Sequence, residues 1–178
     1  MKKILTLVSA ALFVCLSGSA WAGYADDRAE IENLSNRYMI AVDAGDIETV
    51  MSTWADDGVL VWVGGVVNGK AAIRKTMSNF GGARPVNIPE GATSRPRTRH
   101  QIINHVIDVN GNTAKTLAYW FAFTNNTPQH DVQILYFGHY EDELAKVKWL
   151  FKRRHVYNES EANRALFYPG LGEKDPRH

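Results

Sequence analysis

Two side chains in this sequence are suited to moving a proton between them, Asp43 and His100. An imidazole changes charge near neutral pH, and a carboxylate against one ring nitrogen fixes its tautomer and stabilises the imidazolium that forms. His100 lies in the stretch Arg97 to Val109, whose second half is rich in β-branched residues and stops at the hairpin signal Asn110-Gly111. Alternation along a strand puts His100, Ile102, Asn104 and Val106 on one face, with Arg99, Gln101, Ile103, His105 and Ile107 on the other. Asp43 stands where a helical pattern ends, and from there a carboxylate can point into the space between helix and sheet. Two plainer readings stay open on spacing alone: a half-buried structural histidine, and an aspartate that only forms a turn.

Other chemistries find little support. There is no Gly-rich phosphate loop, no Gly-x-Ser-x-Gly elbow and no His-Glu-x-x-His. His100 and His105 are five apart, so one regular strand cannot turn both inward as a chelating pair. His130, His139 and His155 show no ligand spacing, so a metal site is not expected. The run Arg95-Pro96-Arg97-Thr98-Arg99 is basic but lacks interleaved aromatics, which suits a solvated or interface face better than nucleic-acid binding. Trp120, Phe121, Phe123, Tyr136 and Phe137 alternate on later strands as core or dimer-interface residues, and one face of them could line a pocket.

The elements that must carry these residues follow an N-terminal segment. Lys2 and Lys3, the apolar run Ile4 to Leu16 and Ala20-Trp21-Ala22 form the pattern of a secretory signal peptide over residues 1–22, cleaved after Ala22. The expected location is periplasmic or secreted, with no membrane contact after cleavage. Setting aside 22 of the 178 residues leaves 156, enough for one domain over 23–178 with a core of its own. Losing Lys2 and Lys3 takes the 20 basic residues to 18 against 19 acidic, a net charge of −1, which argues against a dedicated nucleic-acid binder. The single cysteine, Cys15, falls in the signal segment, so the mature fold must rest on packing without disulfides.

Ile31, Leu34, Tyr38 and Val42 form one stripe of a helix over 26–42. Gly45 ends it, and Asp46 caps a short second helix through Val50, Met51 and Trp54. Asp56-Asp57-Gly58 reads as a turn into a strand over 59–63, followed by a turn at Gly64-Gly65. A third helix opens at Gly69-Lys70 and continues to about Phe80. Residues 81–97 read as a long loop, either a lid over a pocket or a tolerated insertion. Strands over 99–109, 113–124, 132–144 and 148–157 then complete an antiparallel meander, and a short helix follows from Glu159. Helices first and a meander afterwards describe an α+β domain with helices packed on one sheet face.

Several runs in this order resemble the SnoaL-like family of the nuclear transport factor 2-like superfamily. They are Arg37-Tyr38-Met39-Ile40-Ala41-Val42-Asp43, Trp54-Ala55-Asp56-Asp57, Gly69-Lys70-Ala71-Ala72-Ile73, Arg99-His100-Gln101-Ile102-Ile103-Asn104, Gly138-His139-Tyr140-Glu141-Asp142 and Trp149-Leu150-Phe151-Lys152-Arg153-Arg154. The resemblance spans about residues 26–157 and implies a cone-shaped α+β barrel, three N-terminal helices on a curved, mostly antiparallel sheet enclosing a pocket. Within the family the sequence is similar to the scytalone dehydratase, bile-acid dehydratase and hexachlorocyclohexane dehydrochlorinase branch. That branch uses an Asp–His dyad whose motif positions match Asp43 and His100, with a pocket tyrosine matching Tyr38. The resemblance implies a cofactor-independent lyase or isomerase acting on a small cyclic or hydroxylated carbonyl-type substrate. Trp62, Asn104, Trp120 and Arg153 are the expected substrate-binding residues, Arg153 and Arg154 competing for the one inward place that alternation allows. The second catalytic histidine of scytalone dehydratase has no match here. The competing reading is a non-catalytic periplasmic or secreted binding protein for an apolar small molecule. A homodimer or higher homo-oligomer is compatible with either.

Overall fold

The computed structural model describes residues 2–78, 90, 91, 96–127, 129, 131–146 and 148–160, with side chains of the first helix described from Gly23 onward. The expected lid over 81–97 and the short helix from Glu159 fall largely outside the described residues. Helix α1 (Lys2–Ala44) is followed by α2 (Ile47–Ser52), β1 (Trp54–Trp62), β2 (Gly65–Asn68) and α3 (Lys70–Ser78). Four long strands follow, β3 (Thr98–Asn110), β4 (Thr113–Thr124), β5 (Gln133–Lys146) and β6 (Trp149–Asn158). One six-stranded sheet has the order β2-β1-β6-β5-β4-β3, antiparallel except where β1 runs parallel to β6. β2 and β3 are its two edges, so the curved sheet is open, and helices packed on a mostly antiparallel curved sheet are the α+β architecture expected.

α1 buries Ile31, Leu34, Ser35, Tyr38, Met39 and Ala41, the stripe that helical periodicity predicts. It ends in a Schellman turn: Gly45 has φ +71°, its N–H donates to the Val42 carbonyl, and the Asp46 N–H donates to that of Ala41. Asp46 then caps α2, its carboxylate accepting from the Thr49 N–H at 3.0 Å. The core lies between α1 and the inner sheet face, where Trp54, Phe151 and Ile31 are fully buried. Burying each of these side chains stabilises the fold by about 1.5–3 kcal/mol.

Three local readings are corrected. β1 runs through Asp56-Asp57-Gly58 as an irregular stretch of strand, because its pairing with β6 slips between Trp54 and Val59. Gly65 at φ +105° ends a turn and begins the short strand β2, which pairs back on β1. The β3–β4 turn is Gly111-Asn112, with Gly111 at φ +58° where a two-residue hairpin needs a left-handed residue.

The main correction concerns alternation. Ile103 pairs with Tyr119 and Val106 with Leu117, so Asn104 and His105 together oppose the single residue Ala118. This is a β-bulge, and Asn104 sits in it at φ +51°, a conformation that asparagine tolerates better than branched residues. The extra residue reverses the faces: His100 and Ile102 point inward before the bulge, and His105, Ile107 and Val109 after it. A second bulge lies in β6, where Glu143 pairs with Arg153 and Leu144 with Phe151, leaving Lys152 over.

Candidate active site

The Schellman turn ends α1 one residue after Asp43, which leaves Asp43 in the last turn of the helix, beside the first residues of β3. Both carboxylate oxygens reach His100. Oδ1 lies 2.6 Å from the ring Nδ1, and Oδ2 accepts the backbone N–H of His100 at 2.9 Å. An ionised carboxylate can only accept, so Nδ1 carries the hydrogen and Nε2 is the basic nitrogen. The Asp43 side chain is 8% exposed and that of His100 23%, so the carboxylate is sealed while the imidazole keeps an open edge. The dyad therefore has one fixed tautomer, one fixed ring position and one free basic atom.

Behind His100 runs a wall of rings. Trp120, on β4, lies 6.2 Å from the imidazole and stacks on Tyr140 at 5.6 Å. Tyr140 and Tyr38 each lie about 4.5 Å from the guanidinium of Arg154, which also rests on Phe151 at 4.0 Å. Arg154 is 1% exposed and donates through Nε and Nη2 to both oxygens of Asp142, at 2.8 and 2.7 Å. Burial works against its charge, but Asp142 more than offsets that, and its pKa stands above the ordinary arginine value. Its Nη1 makes no hydrogen bond and lies within a cage of aromatic faces that attract a cation.

The structure brings together three of the residues expected from sequence, Asp43, His100 and Trp120. Tyr38 is set apart from the dyad: five residues before Asp43 on a helix, it points about 140° away. Its hydroxyl lies 4.0 Å from Met77 Sδ, its ring caps Arg154, and burial pushes its pKa up. Trp62 folds over Gly64 in the turn that follows β1, and it packs against the edge of the core. Asn104 is exposed on the β3 bulge, off the face of His100. Arg153 stays on the outer sheet face: Phe151 is inward, and regular alternation would bring Arg153 in beside it. The β6 bulge gives that place to Arg154 instead.

Sequence reasoning missed His105 and Asp142 as inward polar residues, and of the two candidate arginines it chose Arg153, where the fold places Arg154 inside. His105 faces the interior because of the β3 bulge, so the argument that His100 and His105 cannot share a face fails. Burial depresses the pKa of His105, with Asp142 acting in the opposite direction. No clustered set of His, Cys, Asp and Glu among the described residues could hold a metal ion. Among the described residues, clefts of about 360 and 370 Å³ lie away from the dyad, along α1 near Arg37 and on the outer sheet face near Lys115.

Comparison with known proteins agrees with this architecture. A family model described as SnoaL-like domain matches residues 23–155. A search of curated proteins finds no match. Among solved structures, a Mycobacterium tuberculosis protein of unknown function is similar at 22% identity and TM-score 0.64, over 80% of this chain and 78% of that one. A Nostoc punctiforme protein of unknown function with a cystatin-like fold matches at 22% identity and TM-score 0.64, over 77% and 94%. A candidate scytalone dehydratase from Novosphingobium aromaticivorans matches at 23% identity and TM-score 0.61, over 76% and 85%. At these identities the likeness concerns the fold.

Proposed function

Because the chain belongs to the SnoaL-like domain family, we propose that it is a cofactor-independent lyase of the dehydratase type, or an isomerase, acting on a small cyclic or hydroxylated carbonyl compound. The observation that carries this reading is the double grip of Asp43 on His100, at 2.6 Å on the ring and 2.9 Å on the backbone. Nε2 of His100 takes a proton from the carbon next to the carbonyl. The carboxylate of Asp43 stabilises the imidazolium through Nδ1–H. The electrons of the broken C–H bond form the new double bond as the hydroxyl on the neighbouring carbon departs. The imidazolium returns its proton to that hydroxyl, so water leaves and the enzyme is regenerated without an external oxidant or reductant. In the isomerase variant the proton goes back to a different carbon. Trp120 supplies a flat apolar wall beside the imidazole, suited to a ring.

Acid–base help of this kind contributes ~10²–10⁴ in rate. The test begins with a panel of cyclic β-hydroxy ketones, screened with the His100→Ala variant by thermal shift and with wild type by mass spectrometry for loss of water. A compound present at 100 times its dissociation constant adds about 2.7 kcal/mol of stability. With a substrate so found, His100→Ala should lose at least ~10²-fold in kcat with an unchanged melting profile. Asp43→Asn should fall between the two, because the amide can donate to Nδ1 and so favours the wrong tautomer. Undiminished turnover by His100→Ala sinks the mechanism. A compound that binds tightly and is recovered unchanged by wild type makes the chain a binding protein instead.

A further inference from the structure

Removing a proton beside a carbonyl builds negative charge on the carbonyl oxygen, and a site for that step needs a hydrogen-bond donor aimed at the oxygen. The dyad does not provide one. Asp43 can only accept, and the Nδ1 hydrogen of His100 is engaged with it. The family likeness offers a pocket tyrosine for the part, but Tyr38 is turned to the arginine cage and its hydroxyl lies 4.0 Å from Met77 Sδ. A base is in place, and its matching donor must come from another residue.

Among the described residues, Ser35 Oγ, Trp54 Nε1, His105 Nε2, Trp120 Nε1 and Arg154 Nη1 are buried without a hydrogen bond. Ser35 is eight residues from Asp43, about 12 Å along the helix. Trp54 packs on Tyr38 and Phe151, Arg154 lies in its cage, and His105 follows the β3 bulge. Trp120 differs from these, because its ring lies 6.2 Å from the imidazole of His100. It is 5% exposed, and a buried N–H without an acceptor is unfavourable until a ligand supplies one. Its neighbours on the inner face are small. Ala118 and Ala122 flank it on β4, and Gly138 stands opposite on β5, where an added Cβ would run into the Tyr157 carbonyl oxygen. The indole is one large flat donor set among residues with little or no side chain.

We propose that Trp120 is a catalytic residue whose indole N–H holds the carbonyl oxygen of the substrate, the part expected of Tyr38. This rests on the dehydratase or isomerase reading and deepens it. As Nε2 of His100 takes the proton, the electrons of the C–H bond move toward the carbonyl oxygen, and the Trp120 N–H donates to that oxygen as its charge grows. The charge returns to carbon as the neighbouring hydroxyl leaves with the imidazolium proton as water. An indole N–H donates without giving up its hydrogen, so Trp120 stabilises the oxyanion and leaves all proton transfer to His100. The substrate class narrows accordingly. A ketone or other carbonyl compound presents an oxygen to this donor, whereas a halide or an alcohol without a carbonyl develops no oxyanion for it to hold.

The indole hydrogen can be observed directly by NMR. In ¹⁵N-tryptophan-labelled His100→Ala protein, the Trp120 signal is the one lost when Trp120→Phe is added. Titration with 3-hydroxycyclohexanone, and with the other ketones of the panel, should move that signal downfield. The counterpart with a CH2 group in place of the carbonyl oxygen should not move it. With a ketone that wild type dehydrates, Trp120→Phe keeps a ring against Tyr140 and should lose ~10²–10³-fold in kcat with KM little changed. Tyr38→Phe should keep kcat near the wild-type value. Ketones that bind without moving the Trp120 signal, or no ketone binding at all, overturn the assignment. Full turnover by Trp120→Phe beside an inactive His100→Ala also overturns it and leaves the dyad mechanism standing. The reverse result, a ketone-specific shift with full turnover by His100→Ala, keeps Trp120 as the oxygen's donor and removes the dyad.

Discussion

His105 makes no hydrogen bond through Nε2, and burial holds its pKa below the ordinary histidine value. The charged groups acting on it are Asp142 on β5, Arg154 on β6, and Glu32 and Arg28 on α1. A histidine whose folded pKa is depressed binds its proton more readily in the unfolded chain. Its contribution to stability is full above the unfolded pKa near 6.5 and is lost as pH falls through that value toward the folded one. Unfolding by urea between pH 7.5 and 5 should therefore show a shallower pH slope for His105→Gln than for wild type. Equal slopes would mean that His105 is solvated. The neighbouring Asp142–Arg154 pair makes a sharper claim. Asp142→Ala leaves a guanidinium of 1% exposure without its carboxylate and should cost about 3–5 kcal/mol in the same measurement. A loss below 1 kcal/mol would show that the aromatic cage alone suffices for Arg154.

Two strand irregularities set which side chains enter the interior. Without the bulge at Asn104, the register that brings His100 inward would send His105 and Ile107 to the outer face. Asn104 holds the left-handed conformation at φ +51° with its side chain in solvent. A β-branched residue there meets a steric cost of about 1–2 kcal/mol per residue, and glycine none. Asn104→Val should thus lose about that much stability, whereas Asn104→Gly should stay within about 1 kcal/mol of wild type. A valine variant as stable as wild type would show that the bulge migrates along β3. At the other end of the dyad, the Schellman turn matters because it stops α1 just after Asp43, the residue whose carboxylate meets His100.

At the scale of the whole molecule, α1 packs on the sheet through the buried stripe from Ile31 to Ala41. Asp27, one turn before that stripe, clamps the helix to the β5–β6 hairpin, accepting from Lys146 Nζ and from Trp149 Nε1 at 2.9 Å. The first 22 residues are read as a cleavable export signal, so the exported product should begin at Gly23 by mass spectrometry. A chain begun at Gly23 should melt within about 3 °C of the full one, because the buried stripe from Ile31 to Ala41 is intact. A product retaining Ala22 and the residues before it would refute the cleavage site, and a large loss in melting temperature would give those residues a structural role.

What the sequence determined by itself is local or short in period. The α1 stripe, the Gly45 stop, the Asp46 cap and the four long strands each follow from patterns a few residues long, which tertiary contacts reinforce. The family likeness singled out Asp43 and His100, and the helix end explains how the carboxylate comes to be there. Tertiary structure alone decided the rest. A bulge adds one residue to a period of two, and nothing in Asn104-His105 or Lys152-Arg153 marks the slip, because it is set by the partner strand. For that reason alternation set Asn104 on the face of His100 and left Arg153 and Arg154 competing for one inward place, where the fold turns His105 and Arg154 inside. Tyr38 was drawn toward the dyad by its position in a motif, but helical rotation turns it to the arginine cage.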